Sequence, residues 1–228
     1  MPLYSGDRIS IGKFVIGSPM PIVVTSVFYE DVETFIEKLQ NRTLSDRNLY
    51  EIRFDMFTER EVSDEEELIS ALREMDIDYI FTFRGKDAKE YYETAIRKMA
   101  PAVDIDMDLI GKINVKPSVT RIIGSYHTSD PAAMMNALET MMASDVDMVK
   151  VACSYSDDQE FLADLNRIID VRKGRKKPMA FIPMGRTFWR ALAGYYVSDI
   201  VYAMNERPTA YGQPPADYYY QAFKSLFY

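Results

Sequence analysis

RIIGSYHTSDPAAMMNALETMMASDVDMVKVAC, the stretch from Arg121 to Cys153, holds two short apolar runs with a helical pattern between them. Arg121–His127 and Asp147–Cys153 are typical of short buried strands. The helical pattern is Pro131–Ala143, and Ser129-Asp130-Pro131 gives it a cap and a proline near its first helical position. A strand, a helix and a second strand in this order indicate parallel strands joined by a right-handed crossover.

The same alternation recurs along the whole chain. The strand candidates are Pro21–Val27, Leu49–Asp55, Asp78–Arg84, Ala102–Asp106, Arg121–His127, Asp147–Cys153, Pro178–Met184 and Asp199–Ala203. The clearest helical patterns are Asp31–Gln40, Asp64–Met75, Ala88–Met99, Pro131–Ala143 and Asp157–Val171, the second beginning with Ser63 and Asp64 as its cap. Eight strands alternating with helices predict an α/β fold, a single (β/α)8 TIM barrel over residues 1–228. A doubly wound open sheet is the rival fold, but no Gly-rich phosphate fingerprint follows the first strand.

Two segments stand outside this alternation. Leu109–Pro117 is too short and too interrupted to be a full helix between the fourth and fifth strands. Arg8–Ile16 resembles a β-hairpin that turns at Gly12-Lys13. In a barrel we expect this hairpin to close the bottom.

Composition disfavours several classes of protein. Hydrophobic residues make up 47% of the 228 residues, enough for a full core. A single cysteine and a single histidine disfavour a disulfide framework and the usual zinc sites. A net charge of −8 opposes nucleic-acid binding, although a few arginines in a cleft can still attract a small anion. Met1–Gly6 lacks a signal-peptide pattern and no apolar run has membrane-spanning length, so we expect a cytoplasmic protein with no membrane partner. The oligomeric state stays open, a homodimer included.

Charged residues occur inside apolar strands of this sequence. In Glu51-Ile52-Arg53-Phe54-Asp55 the three charged side chains share one face, because side chains alternate along a strand. Helices cover the outside of a parallel barrel, so the charged face must point into the lumen. Val103-Asp104-Ile105-Asp106-Met107-Asp108 adds further carboxylates by the same alternation. Structural pairing of Arg53 with these acids is one interpretation, and a functional site is the other.

His127 and Lys150 are the titratable groups that most favour a reaction. His127 closes its strand, as Arg84 does, at the end where barrel active sites lie. Lys150 lies inside its strand on the lumen face, and burial makes an ammonium easier to deprotonate. A buried lysine beside a histidine suggests amine chemistry on a carbonyl, with a base at hand. The structural alternatives are a His127 bonded to a backbone carbonyl and a Lys150 paired with Asp104 or Asp106.

These residues belong to an ordered series of segments, from Pro21 to Gln213, that resembles the type I 3-dehydroquinate dehydratases (3-dehydroquinases). This family is the Schiff-base class of the shikimate pathway. The segments that carry the resemblance are Glu51-Ile52-Arg53-Phe54-Asp55, Phe81-Thr82-Phe83-Arg84, Ser125-Tyr126-His127, Val149-Lys150-Val151-Ala152, Met184-Gly185, Arg190 and Thr209-Ala210-Tyr211-Gly212-Gln213. No single motif is decisive, but their order and spacing together are specific.

The resemblance implies a role for each matching residue. Lys150 would form an imine with 3-dehydroquinate, and His127 would be the general base and acid of a dehydration that needs no metal or organic cofactor. Arg190 would bind the substrate carboxylate, and Met184 would line the pocket. The residues implied to bind hydroxyls or to orient neighbours are Glu51, Arg53, Arg84, Thr209 and Gln213. We also expect the three arginines to lie near the lysine and to favour its amine form.

The chain departs from the family pattern at three places. The family usually has Glu-Gly-Gly after the third-strand arginine, and that glutamate orients the histidine. Here Arg84 is followed by Gly85-Lys86-Asp87-Ala88-Lys89-Glu90, so either Asp87 or Glu90 substitutes or the role is absent. Tyr211 stands where proline is usual and Trp189 where serine is usual. Tyr211 lies in the loop 208–215, which we expect to close over the substrate as a lid, and Trp189 directly precedes Arg190.

Two other functions are consistent with the sequence. A class I aldolase or transaldolase also uses a barrel lysine, but the lone strand-end histidine with Arg190 favours dehydration of a polyhydroxy keto acid. A catalytically inert barrel that serves as a binding or scaffold protein is the other alternative, supported by the missing Glu-Gly-Gly.

Overall fold

The protein is described by a computed structural model that covers residues 7–41, 44, 48–174 and 176–227. Met1–Gly6, where the sequence lacks a signal-peptide pattern, lie outside the described residues. In chain order the elements are β1 (Ile9–Ile11), β2 (Phe14–Ile16), β3 (Ile22–Val27), α1 (Val32–Gln40), β4 (Leu49–Arg53), α2 (Val62–Glu74), β5 (Tyr79–Thr82), α3 (Ala88–Arg97), β6 (Ala102–Asp106), α4 (Met107–Ile110), β7 (Arg121–Thr128), α5 (Pro131–Ala143), β8 (Met148–Ser154), α6 (Asp158–Gly174), β9 (Met179–Met184), α7 (Thr187–Tyr196), β10 (Ile200–Met204) and α8 (Ala216–Phe227).

Strands β3 to β10 form one parallel sheet in the order β10-β3-β4-β5-β6-β7-β8-β9. Its two outer strands are linked by the residues that precede β10. The Asp199 N–H donates to the Met179 carbonyl at 2.8 Å, and the Phe181 N–H donates to Ser198 Oγ at 2.9 Å. The sheet therefore curls into a nearly closed barrel with helices around it, which confirms the predicted (β/α)8 architecture.

Strand alternation divides the core into an outer and an inner part. On β8, Val149 and Val151 pack outward among side chains of α5 and α6, whereas Met148 and Ala152 pack inside the barrel. Lys150 lies between the two valines and therefore points into the lumen, as its position in the sequence predicted.

The N-terminal hairpin closes the lower end of the barrel. β1 and β2 pair antiparallel, and Ile11 and Ile16 are fully buried among lumen residues near the starts of the parallel strands. Gly12 makes the turn with a positive φ of 55°, and the Lys13 N–H donates to the Asp78 carboxylate at 2.9 Å. Asp78 directly precedes β5, so this bond attaches the turn to the barrel.

Some element boundaries differ from the sequence prediction. β4 ends at Arg53, and Phe54–Met56 forms one turn of 3-10 helix, so Asp55 has left the strand. The sequence pattern extended the strand because Phe54 and Asp55 continue its apolar and charged alternation. In the fold, Phe54 is buried against a cluster of aromatic rings outside the barrel.

The start of α2 also corrects the prediction. The cap is Glu61 rather than Ser63, and Asp64 lies in the first turn, where its carboxylate accepts the Glu61 N–H at 2.7 Å. By contrast, Asp130 caps α5 and Pro131 opens it, as predicted.

The helices around the barrel differ in length and in how clearly the sequence predicts them. α4 is a single turn, in agreement with the weak helical pattern of Leu109–Pro117. The sequence pattern did not single out α7 and α8, which follow β9 and β10. Within the described ranges, no helix is long and apolar enough to cross a membrane.

Candidate active site

Lys150 lies in the barrel lumen between two carboxylates. Its Nζ donates to Glu51 Oε1 at 2.8 Å and to Asp104 Oδ2 at 2.6 Å, and all three side chains are buried. They come from β8, β4 and β6, alternate strands whose inward residues meet in one layer of a parallel barrel. The Tyr202 ring of β10 covers a further side, with its centroid 3.9 Å from Nζ.

Both carboxylates are held ionised by their neighbours. Burial alone would raise the pKa of Glu51, but Lys150 and Arg53 outweigh it and lower that pKa below the usual value. Burial also opposes ionisation of Asp104, and Arg84 and Lys150 together lower its pKa far below normal. The structure confirms the pairing of Lys150 with Asp104. Arg53 and Arg190 line the same cavity as the lysine, but its direct contacts are with carboxylates, which favour the ammonium form instead of the expected amine.

Arg84 joins the lysine layer to the barrel mouth, which we define as the carboxyl ends of the eight parallel strands. Its guanidinium donates to Asp104 at 2.8 Å and to Asp106 at 2.5 Å. One of its nitrogens also lies 3.5 Å from Nε2 of His127. Asp104 therefore connects the two predicted catalytic residues, Lys150 and His127. It contacts Lys150 directly, and it contacts His127 through Arg84.

His127 stands at the mouth, where β7 ends. His127 is partly open to solvent at the mouth, but desolvation by the surrounding side chains, followed by repulsion from Arg84 and Lys150, lowers its pKa well below the ordinary histidine value. The imidazole is therefore neutral near pH 7. Asp87 and Glu90, the residues considered as its partners, are exposed at the start of α3, and the side-chain contact of His127 is with Arg84 instead.

Arg53 also corrects a prediction. Rather than pairing with Asp104 or Asp106, it forms a bidentate ion pair with Asp55, at 2.9 Å and 2.7 Å. The turn after β4 makes this possible, because it brings Asp55 back beside the end of the strand. Arg53 still lines the cavity above Lys150.

The loop 208–215 lies over the cavity and is bonded into it. Gln213 Oε1 accepts from the Thr209 N–H at 2.7 Å and from the Thr209 hydroxyl at 3.0 Å. On its other side, the Gln213 amide donates to Ser26 Oγ at 3.0 Å, and Ser26 donates to Glu51 at 2.6 Å. Hydrogen bonds thus connect the loop to the carboxylate that holds Lys150.

Arg190 reaches the same loop from α7. It is buried and donates to the Tyr211 carbonyl at 2.7 Å, while its Nε has no hydrogen-bond partner among the described residues. Gly212 presses against the backbone of Gly185, where an added Cβ would come within 2.4 Å of the Gly185 carbonyl oxygen. With a φ of 73°, Gly212 can make this close approach because it has no side chain.

One cavity of about 350 Å³ collects most of the predicted residues. This volume includes the solvent-filled opening at the barrel mouth. Its lining residues are Glu51, Arg53, His127, Lys150, Ala152, Ile182, Met184, Arg190, Tyr202, Thr209, Ala210 and Gln213. Arg84 does not line this space and reaches it through His127 and Asp104.

Three lumen residues escaped the sequence reasoning. Ser26 was detectable, because Thr25-Ser26 interrupts an otherwise apolar strand. Thr82, whose hydroxyl lies 3.3 Å from Glu51, gave the same weak signal. Tyr202 gave none, since an aromatic residue in an apolar strand is ordinary core material. Its buried hydroxyl has no partner within the described part of the chain.

The other departures from the family pattern leave the cavity lining unchanged. Trp189 is buried outside the barrel, where it stacks on Phe161 and donates to Asp158 at 2.7 Å. Tyr211 is 80% exposed and contributes its backbone carbonyl to Arg190. Across the described residues, no group of three or more His, Cys, Asp or Glu is arranged to hold a metal ion.

A parallel barrel in which a lysine, a histidine and arginines converge on one cavity at the strand ends is a barrel enzyme for a small polar molecule. The sequence pattern of the type I 3-dehydroquinase family matches residues 23–227. The chain belongs to this family.

Similar proteins agree with this assignment. The chain is 83% identical to the 3-dehydroquinate dehydratase of Thermoplasma acidophilum over 228 residues, which cover all of both chains. It is 49% identical to that of Thermoplasma volcanium, covering 100% of this chain and 98% of the relative. The solved 3-dehydroquinate dehydratase of Geobacillus kaustophilus has a TM-score of 0.79 at 21% identity, covering 100% of this chain and 98% of that one. The solved type I 3-dehydroquinate dehydratase of Clostridium difficile, with covalently modified comenic acid, has a TM-score of 0.81 at 16% identity. The match covers 97% of this chain and 98% of that one. At this identity the two structures show the fold.

Proposed function

We propose that this protein acts in the cytoplasm and dehydrates 3-dehydroquinate to 3-dehydroshikimate through an imine on Lys150, in the shikimate pathway to aromatic amino acids. The observation that carries the proposal is the position of Lys150, a buried primary amine that lines the same cavity as His127 and Arg190. Family membership supports the reaction, and the cavity supports the assignment of roles.

The proposed reaction balances without a redox partner. The Lys150 amine attacks the C3 ketone, and loss of water leaves a protonated imine. The iminium withdraws electrons, so the adjacent C2 proton becomes acidic and His127 removes it. The enamine then expels the C1 hydroxyl, and His127 returns its proton to that leaving oxygen. Hydrolysis of the product imine restores the free lysine.

The buried carboxylates are suited to assist two stages of this reaction. The ammonium must lose protons before and during imine formation, and Glu51 and Asp104 are the acceptors in hydrogen-bond contact with it. The protonated imine keeps a positive charge at the same nitrogen. Ionised carboxylates at these positions stabilise that charge in a buried site, where electrostatic interactions are strong.

The remaining roles are proton transfer, which belongs to His127, and binding of the substrate carboxylate, which belongs to Arg190. The depressed pKa of His127 keeps it neutral, which is the form that accepts the C2 proton. Arg190 lines the cavity and has no carboxylate partner among the described residues, so it is suited to a carboxylate, the group that a guanidinium binds bidentately. We expect the loop 208–215, which lies above them, to limit the access of water to the imine.

The enone product gives a direct assay of the reaction. Incubation of the protein with 3-dehydroquinate should produce ultraviolet absorbance from the new conjugated double bond. His127→Ala should lower the rate at least about 100-fold, the usual contribution of a positioned acid–base group. An absorbance that never rises with the intact protein would contradict the reaction and favour the inert barrel. Near-normal turnover by His127→Ala would remove His127 from the base role.

A further inference from the structure

The histidine lacks the acid that orients it elsewhere in the family. The segment after Arg84 contains no Glu-Gly-Gly, and Ala88, at the start of α3, is buried. The nearby acids Asp87 and Glu90 face solvent. The side chain in hydrogen-bond contact with the imidazole is Arg84, a cation, with 3.5 Å between its nitrogen and Nε2 of His127.

Two carboxylates fix Arg84 in this position. Asp104 accepts from the same guanidinium nitrogen that contacts His127, at 2.8 Å, and Asp106 accepts from the other terminal nitrogen at 2.5 Å. Two anchors on different nitrogens determine the plane of the guanidinium as well as its position. Asp104 is shared with Lys150, but Asp106 has no such second partner among the described ion pairs.

The direction of the Arg84–His127 contact follows from chemistry. A guanidinium has N–H donors and no acceptor, so Nε2 must present its lone pair to Arg84. The proton of the neutral imidazole then lies on Nδ1. A carboxylate in contact with Nε2 would select the opposite tautomer, since it can only accept a hydrogen bond from that nitrogen.

We propose that Arg84 takes the place of the missing acid, selects the Nδ1–H tautomer of His127, and is held in position by Asp106. This inference rests on the proposed function, in which Nε2 is the base: Arg84 keeps Nε2 unprotonated before the substrate binds, and the C2 proton then replaces the Arg84 N–H at that single lone pair. Asp106 is thus a positioning residue for the reaction: it acts on His127 through Arg84.

The charges around His127 determine how the idea can be tested. The cations facing it are Arg84 from the segment after β5 and Lys150 from β8, and the anions are Asp104 from β6 and Glu51 from β4. After desolvation by the mouth side chains, repulsion from Arg84 is the main cause of the low pKa of His127. Displacement of Arg84 should therefore raise that pKa.

The substitution Asp106→Asn distinguishes the positioning of Arg84 from the direct effect of the Asp106 charge on His127. Loss of a nearby negative charge would by itself lower the pKa of His127, whereas release of Arg84 would raise it. We expect the pKa to rise toward the ordinary value of about 6.5 and the tautomers to become mixed. Turnover should fall about 10-fold.

The measurement is unambiguous because His127 is the only histidine in the chain. In the full chain labelled with 15N-histidine, long-range 1H–15N correlation spectra over a pH range report both the tautomer and the pKa. The intact protein should show Nδ1 protonated and Nε2 unprotonated. The matched control is Asp55→Asn, which removes a mouth carboxylate that holds Arg53 and should leave the imidazole spectrum unchanged.

Two results would overturn the inference. One is an Nε2–H tautomer in the intact protein, a measurement that needs no variant and does not depend on whether Asp106→Asn folds. The other is an Asp106→Asn spectrum with the same tautomer and an unchanged or lower pKa. Borohydride trapping of substrate on Lys150 separates the two proposals. A trapped adduct with either of these spectra refutes only the role of Asp106, whereas a missing adduct in an active enzyme refutes the proposed function.

Discussion

At the scale of single residues, the lumen is organised by opposite charges at hydrogen-bond distance. Lys150 has two carboxylates, and Arg84 has two. Arg190 differs, because burial lowers its pKa and its protein partners are the Tyr211 carbonyl and the Tyr219 hydroxyl. A buried guanidinium without a carboxylate in the described residues is ready to accept an anionic group from a ligand.

Arg190→Met tests this role. The variant keeps an apolar stem of similar length but loses the charge, so KM for 3-dehydroquinate should rise about 10- to 100-fold, the equivalent of one charge-assisted contact. The turnover number should change much less, because the carboxylate is bound equally in the ground and transition states. Arg186→Met is the control on the same helix, since Arg186 is an exposed residue paired with Asp158. Equal effects of the two substitutions would contradict the assignment.

At the scale of elements, β1 and β2 contribute to stability while standing apart from the chemistry. Ile11 and Ile16 fill the bottom of the barrel, whereas the catalytic layer lies nearer the opposite end. This separation is typical of parallel barrels, in which the carboxyl ends of the strands carry function and the amino ends carry stability.

Ile11→Ala measures the contribution of the hairpin. Removal of a fully buried isoleucine should lower the free energy of unfolding by about 2–5 kcal/mol, as measured by chemical denaturation. Val15→Ala is the matched control on the same hairpin, because Val15 is 44% exposed and should change stability by less than about 0.5 kcal/mol. If Ile11→Ala were as stable as Val15→Ala, the hairpin would not be part of the core.

The order of the strands and the face to which each strand side chain points were predictable from the sequence. Contacts made by residues that follow the end of a strand were not. The alternation in Val149-Lys150-Val151 determined which way Lys150 points, because a parallel barrel has only two environments for a strand side chain. The Arg53–Asp55 pair could not be found this way, since it depends on the 3-10 turn that ends β4. The contact of Arg84 with His127 joins residues 43 positions apart, and no local pattern encodes it.

At the scale of the whole molecule, one acid outside the site makes stability depend on pH. Glu65 of α2 is fully buried, and burial, followed by repulsion from Glu66, raises its pKa to about 9. An unfolded chain would release this proton near pH 4.3. The folded state therefore binds the proton more tightly, so its stabilising effect is complete below about pH 4.3 and is lost as the pH rises toward 9.

Glu65→Gln should remove this dependence. At pH 7 the variant should be more stable than the parent by roughly 2–4 kcal/mol, because the amide needs no protonation, and the difference should shrink as the pH falls toward 4.3. Denaturation at a series of pH values measures it. Glu67→Gln, at an exposed position of the same helix, is the control. A parent and variant with parallel pH–stability curves would show that Glu65 is not the responsible group.

The central claim is that Lys150 forms the covalent bond to the substrate. Borohydride added to the protein together with 3-dehydroquinate should reduce the imine, inactivate the enzyme and leave a mass increment that peptide mapping assigns to Lys150. Borohydride alone should leave the protein active and unmodified. An unmodified Lys150 in a protein that still turns over its substrate after the combined treatment would contradict the account.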